Sequence, residues 1–167
     1  MGYTREVYVP SSYIEELRVL TSMVLELGMK ISAVKNQIHA LIERNMLQHK
    51  FDDVSDMFGA DGLEKLKKLD LPKGESEALW MYLEELSLYA EQHKTLDAEL
   101  AKIASNDEDC KILMMLPGVG PFVAVAIKAR IGDIKRFPDN QKLCSYAGMV
   151  EVYYVNKRIE IIKMGLS

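Results

Sequence analysis

Leu116-Pro-Gly-Val-Gly-Pro121 is the stretch of this sequence that could hold a ligand with backbone alone. Gly118 and Gly120 carry no Cβ, so the chain around Val119 can aim successive N–H groups at one point and admit a ligand closely. The apolar residues from Phe122 onward predict a helix that starts at once. Such a helix adds its unsatisfied N–H groups and the positive end of its dipole. A phosphate oxygen suits a cradle of this kind, and contacts of that type position nucleic acid without reading its bases. Lys128, Arg130, Lys135 and Arg136 follow and supply screening charge. The candidate DNA-contacting set is therefore Gly118, Val119, Gly120, Phe122, Lys128, Arg130, Lys135 and Arg136. The competing reading is a plain turn, since Pro-Gly is common between helices. Helical patterns on both sides and the basic region that follows favour the phosphate.

Other chemistries find little material. The three histidines, His39, His49 and His93, are scattered, and Cys110 and Cys144 fit neither a CxxC nor a zinc spacing, so no metal site is expected. Asp52-Asp53 and Asp107-Glu108-Asp109 are explained by turns and helix caps, and no catalytic residue is assigned. Charge is unevenly placed. From Cys110 onward there are nine basic and four acidic residues, a balance of +5, which leaves −9 in the first 109 residues. A basic tail on an acidic body points to a polyanion met by the tail alone.

The elements that must position the turn are helical. Leu17, Leu20, Val24, Leu27, Ile31, Val34, Ile38 and Leu41 alternate spacings of three and four, an a/d seam within a helix expected over 12–50. A rod of that length cannot bury its stripe alone. A partner with a looser pattern runs over 75–104, and glycines and Pro72 between them punctuate one or two short helices. The seam can pair within a chain or between chains, and the sequence favours a dimer. Ser105-Asn-Asp-Glu108 reads as a capping box opening a short helix before Pro117. Helices are then expected over 122–131, ended by Gly132, and over 140–147 behind Asp139. Val152–Val155 and Arg158–Ile162 could form a hairpin about Asn156-Lys157.

The fold class expected is mainly α, an antiparallel helical or coiled-coil arm plus a small helix-hairpin-helix domain, with a short C-terminal β-hairpin. Residues 1–104 form the arm, with its tip at about 51–74, and 105–167 the DNA-binding domain. A composition of 49% hydrophobic and 28% charged residues excludes a disordered chain. The longest apolar run falls short of the ~18 residues a membrane span needs. With no leader pattern at the start, a cytoplasmic location is expected.

LMMLPGVGPFVAVAIKARIGDIKRFPDNQKLCSYAGMV resembles the C-terminal domain of the insertion-sequence transposases of the 110/116/902 group. The shared pattern is the PGVG hairpin, an I-G-D-x-x-R-F stretch and a Tyr-Ala-Gly helix end. VPSSYIEELRVL and KNQIHALIERN resemble the segment joining that family's two conserved domains. The resemblance implies a role in DNA transposition and recombination, with DNA as partner and an RNA guide as a further candidate. It also implies association with a full-length transposase or a homodimer. It places magnesium on an acidic domain that this chain, expected to be truncated at both ends, lacks; no cofactor is expected here. The family's C-terminal domain supplies a nucleophilic serine, but Ser145 lies outside the matching position, and the chain is expected to be inactive alone. Two other readings stand beside this one. A coiled-coil interaction protein would use the hairpin only as structure. A base-excision glycosylase shares LPGVG but needs an aspartate in a context that IGDIKRF does not supply.

Overall fold

Ser11 opens the first helix: its side chain accepts the Ile14 N–H at 3.4 Å, satisfying one donor that the first turn leaves unpaired. A computed structural model describes residues 8–148 and the backbone of 154–155 and 158–159. Helix α1 (Ser12–Arg44) stops short of the expected residue 50. Asn45 turns its amide back onto the Leu41 carbonyl at 2.9 Å, and Met46 adopts a left-handed φ of 56°. A 3₁₀ turn (Gln48–Phe51) and α2 (Ala60–Lys67) follow, then the second long helix, α3 (Lys73–Asn106).

The stripe of α1 is covered by α3 of the same chain. The two run antiparallel: Ile14, Leu17 and Val24 share a buried cluster with Leu100 and Ala104, while Val34, Ile38, Leu41 and Ile42 share another with Leu79, Leu83 and Leu86. Leu27 is buried, and Leu20 and Ile31 are half-buried against these clusters. Each fully buried leucine or isoleucine contributes roughly 1.5–3 kcal/mol by removal from water. Thr21, the polar residue within the stripe, is satisfied by donating to the Leu17 carbonyl at 2.8 Å. At the far end Phe51 and Leu66 close the second cluster. There α2 passes so near the preceding loop that a Cβ on Gly62 would collide with the carbonyl of Met57.

The glycine turn is mounted on the opposite end of the pair. Helix α4 (Glu108–Met114) and α5 (Pro121–Ile131) bury Cys110, Ala124, Val125 and Ala129 in the cluster that holds Ile14, Leu17 and Leu100. Small side chains on α5 permit this close approach. Arg18 adds a tie from α1, its Nε donating at 2.9 Å to the Ala129 carbonyl in the last turn of α5. Ser105 does not open α4. It remains inside α3, its hydroxyl bonded back to Lys102, and Asp107 is the cap, accepting the Cys110 N–H at 3.1 Å. A carboxylate serves this place better than a hydroxyl, because it also meets the positive end of the helix dipole.

Residues 10–132 make up one compact unit, and 133 onward together with the segment before Pro10 make up another. In the second, Asp133 caps a 3₁₀ turn (Ile134–Arg136) and Asp139 caps α6 (Asn140–Tyr146), accepting the Lys142 N–H at 2.8 Å. The C-terminal hairpin is present as a two-residue antiparallel ladder, β1 (Tyr154–Val155) with β2 (Arg158–Ile159). The remainder of that expected hairpin, including the Asn156-Lys157 turn, lies outside the described residues. Among the described residues no helix is long and apolar enough to cross a membrane.

Candidate nucleic-acid interface

Leu116 to Pro121 joins α4 to α5 in a turn held by its own backbone. Leu116 N–H donates to Leu113 O, and Val119 N–H donates to Leu116 O, each at 3.1 Å. The Val119 amide is thus engaged in the turn, which differs from the expectation that it stands open. The reason is local: Gly118 takes φ 84°, and that left-handed step folds the next N–H back onto the carbonyl three residues earlier. The N–H groups of Gly118 and Gly120 find no acceptor among the described residues. A Cβ at either position would meet nothing within 4 Å, so the space beside both α-carbons is open. Gly120 is also the N-cap of α5, its carbonyl accepting from Ala124 N–H at 3.0 Å, and Pro121 fills the first helical position. The Phe122 and Val123 N–H groups are then the donors that a helix start leaves unpaired.

The side chains around the turn are largely apolar. Val119 and Phe122 pack against the core cluster. Phe122 also lines an open groove of about 800 Å³ along α1, together with Leu25, Gly28, Met29 and Ser32. Its ring therefore serves packing. Met115 and Leu116 are exposed at 81% and 56%, giving the turn an apolar rim.

The expected cations separate into groups. Lys128, on α5, is held by two carboxylates: Nζ bonds to Asp107 and, at 3.0 Å, to Asp109. Burial alone would lower the Lys128 pKa, but its two carboxylate partners outweigh that and raise it. Burial likewise works against the Asp107 carboxylate, yet the bonds from Lys128 and the Cys110 N–H bring its pKa below the usual value. The same enclosure, with Asp107 beside it, pushes the Cys110 thiol up to about 11. Tyr13 stands over this cluster, and burial followed by the Asp107 charge raises its pKa. Lys128 is thus a clasp between α4 and α5. Arg130 lies exposed on α5. Lys135 and Arg136 belong to the second unit, where Lys135 is exposed and Arg136 is stacked on Tyr8, Phe137 and Tyr146.

Three parts of this arrangement were missed in the sequence. The Asp107–Lys128–Asp109 clasp had a weak signal, an acidic triplet ahead of α4 and the lone lysine of α5, 21 and 19 residues on from its two partners. Arg18 and Tyr8 had none, because their partners lie 111 and 125 residues away.

The turn, α4 and α5 fall inside the segment, residues 110–154, that matches the model of the family described as Transposase IS116/IS110/IS902. Over these residues the chain is similar to transposases of that family. A curated relative, the transposase for insertion sequence element IS1111A of Coxiella burnetii (strain RSA 493 / Nine Mile phase I), is 31% identical over 71 residues. That match takes in 42% of this chain and 19% of the relative, so the chain matches about a fifth of that transposase's length. No solved structure matches the chain. Among the described residues no group of three or more His, Cys, Asp or Glu is placed to hold a metal ion.

Proposed function

We propose that this chain acts in DNA transposition as a part that grips the sugar-phosphate backbone. The open Gly118 and Gly120 amides, together with the start of α5, would receive phosphate oxygens. The single observation that carries the reading is the pair of unpaired glycine N–H groups inside the matched transposase segment. The net positive balance from Cys110 onward supports it. Contact through amides gives orientation and no base preference. Lys128 drops out of the contact set, because freeing it breaks two ion pairs. The arm serves as the mount, and residues 105–167 carry the contact. Chemistry at the DNA requires a metal clamp and an activated hydroxyl held together, and this reading assigns neither to the chain.

The test is binding of a labelled duplex by the full chain at low salt. Weak, sequence-tolerant binding is expected, with log K falling against log salt at a slope near −2 for about two phosphates. Gly120→Val leaves the backbone in an ordinary extended conformation, φ −86° and ψ 178°, while crowding the amides. It should weaken binding at least tenfold. Unchanged affinity, or none in the wild type, overturns the reading.

A second reading has an observation in its favour. The hairpin shares its core with the arm, and its Val119 amide is used internally. A helical interaction protein with a structural turn would look the same at those places. It predicts no duplex binding, and a loss of partner association when the outer face of α1 is altered.

A further inference from the structure

Arg136 follows the matched hairpin in sequence, yet its surroundings include a residue from the other end of the chain. Its guanidinium carbon lies 4.3 Å from the Tyr8 ring centre, 4.4 Å from that of Phe137 and 4.5 Å from that of Tyr146. Phe137 and Tyr146 also touch each other, with centroids 5.2 Å apart. Tyr8 makes a second bond with its other end: its hydroxyl accepts the Asp133 N–H at 3.1 Å. Asp133 in turn caps the 3₁₀ turn that carries Arg136, through the Lys135 N–H at 2.9 Å. One side chain thus reaches both the start of the turn and the cation at its end.

The described elements of the second unit are short and shallow. Among its described residues, neither the 3₁₀ turn nor α6 contains a buried residue. Segments of three and seven residues are too short to persist by helical propensity. A guanidinium stacked against aromatic faces is a source of cohesion suited to such a place, since Arg is weakly hydrated and planar.

We propose that Tyr8, ahead of α1, is a releasable strap. Tyr8 clamps Arg136 and pins Asp133, and so holds residues 133–147 in their folded arrangement. Withdrawal of Tyr8 loosens the unit and leaves the α1–α3 core intact. Arg136 then acts as a positioning residue for its own unit, in place of the phosphate contact expected from the sequence. The inference stands apart from the DNA reading and survives its failure.

Amide hydrogen exchange on the full chain tests it. Tyr8→Ala should speed exchange at least tenfold at Arg136, Phe137 and Ala147, whose N–H groups donate within the unit. Amides of α1 and α3 should keep wild-type rates. Tyr8→Phe keeps the ring and loses only the hydroxyl, so Asp133 alone should speed up. Arg136→Lys keeps the charge without the planar stack and should resemble Tyr8→Ala. Wild-type rates at residues 133–147 in Tyr8→Ala overturn the strap. An equal loosening of α1 and α3 overturns it too, because it would make Tyr8 a general stabiliser.

Discussion

Substituting Gly118 and Gly120 one at a time separates two costs that a glycine turn usually mixes. At Gly118, φ is 84° and an added Cβ meets nothing within 4 Å, so an alanine there suffers only the left-handed backbone penalty. That penalty is about 1–2 kcal/mol. For a chain of this size, roughly 2–4 °C of midpoint per kcal/mol gives a fall of about 2–8 °C. At Gly120 the backbone, φ −86° and ψ 178°, is ordinary and the space equally open. Alanine loses the glycine's modest N-cap advantage but removes about 0.4–1 kcal/mol of unfolded-state entropy, and the two roughly cancel. Gly118→Ala should therefore lower the midpoint clearly, and Gly120→Ala should shift it by less than about 2 °C. Thermal melts followed by circular dichroism at a helical wavelength read both. Equal losses at the two positions would refute the reasoning, since crowding or capping, and not the sign of φ, would then set the cost.

Four further outcomes follow from the packing and the charges. Asp107→Asn keeps the Cys110 cap and removes the carboxylate, whose pKa lies below its ordinary 3.8 in the fold. A depressed carboxylate adds stability above pH 3.8 that is lost as pH falls through the folded value, so an acid titration of the variant should show a shallower loss in that window. Cys110 at about 11 against an ordinary 9.0 has roughly a hundredfold less thiolate at pH 8. A thiol reagent should thus take Cys144 first and Cys110 only on unfolding. Leu100→Ala should cost about 2–5 kcal/mol in denaturant titration, while Met115→Ala, at an 81% exposed site, should stay within about 0.5 kcal/mol. Gly62→Ala should displace α2 from the Met57 carbonyl and cost about 1–3 kcal/mol, read as faster amide exchange at the tip.

The parts of this fold that repeat were legible in the sequence. Alternating spacings of three and four marked α1 and its buried stripe, because periodicity records which face leaves water. Gly132 and Asp139 marked helix ends, because end chemistry is local. The Ser105 box misled, since Asp107 offers the same capping chemistry two residues later with a charge as well. Gly118 and Gly120 were found by type, but type alone could not say which amide the turn would use for itself. Lys128 and Arg136 were read as free cations. A formal charge count has no access to Asp107 twenty-one residues back, nor to a tyrosine at the opposite end of the chain.

The two buried clusters along α1 and α3 do not merge. Between them α1 carries the buried Leu27 and then Gly28, beside whose α-carbon the space is open, while Ile31 and Tyr89 pack against the second cluster. The rod accordingly has a soft waist. A loss of packing in one cluster should therefore be felt less in the other.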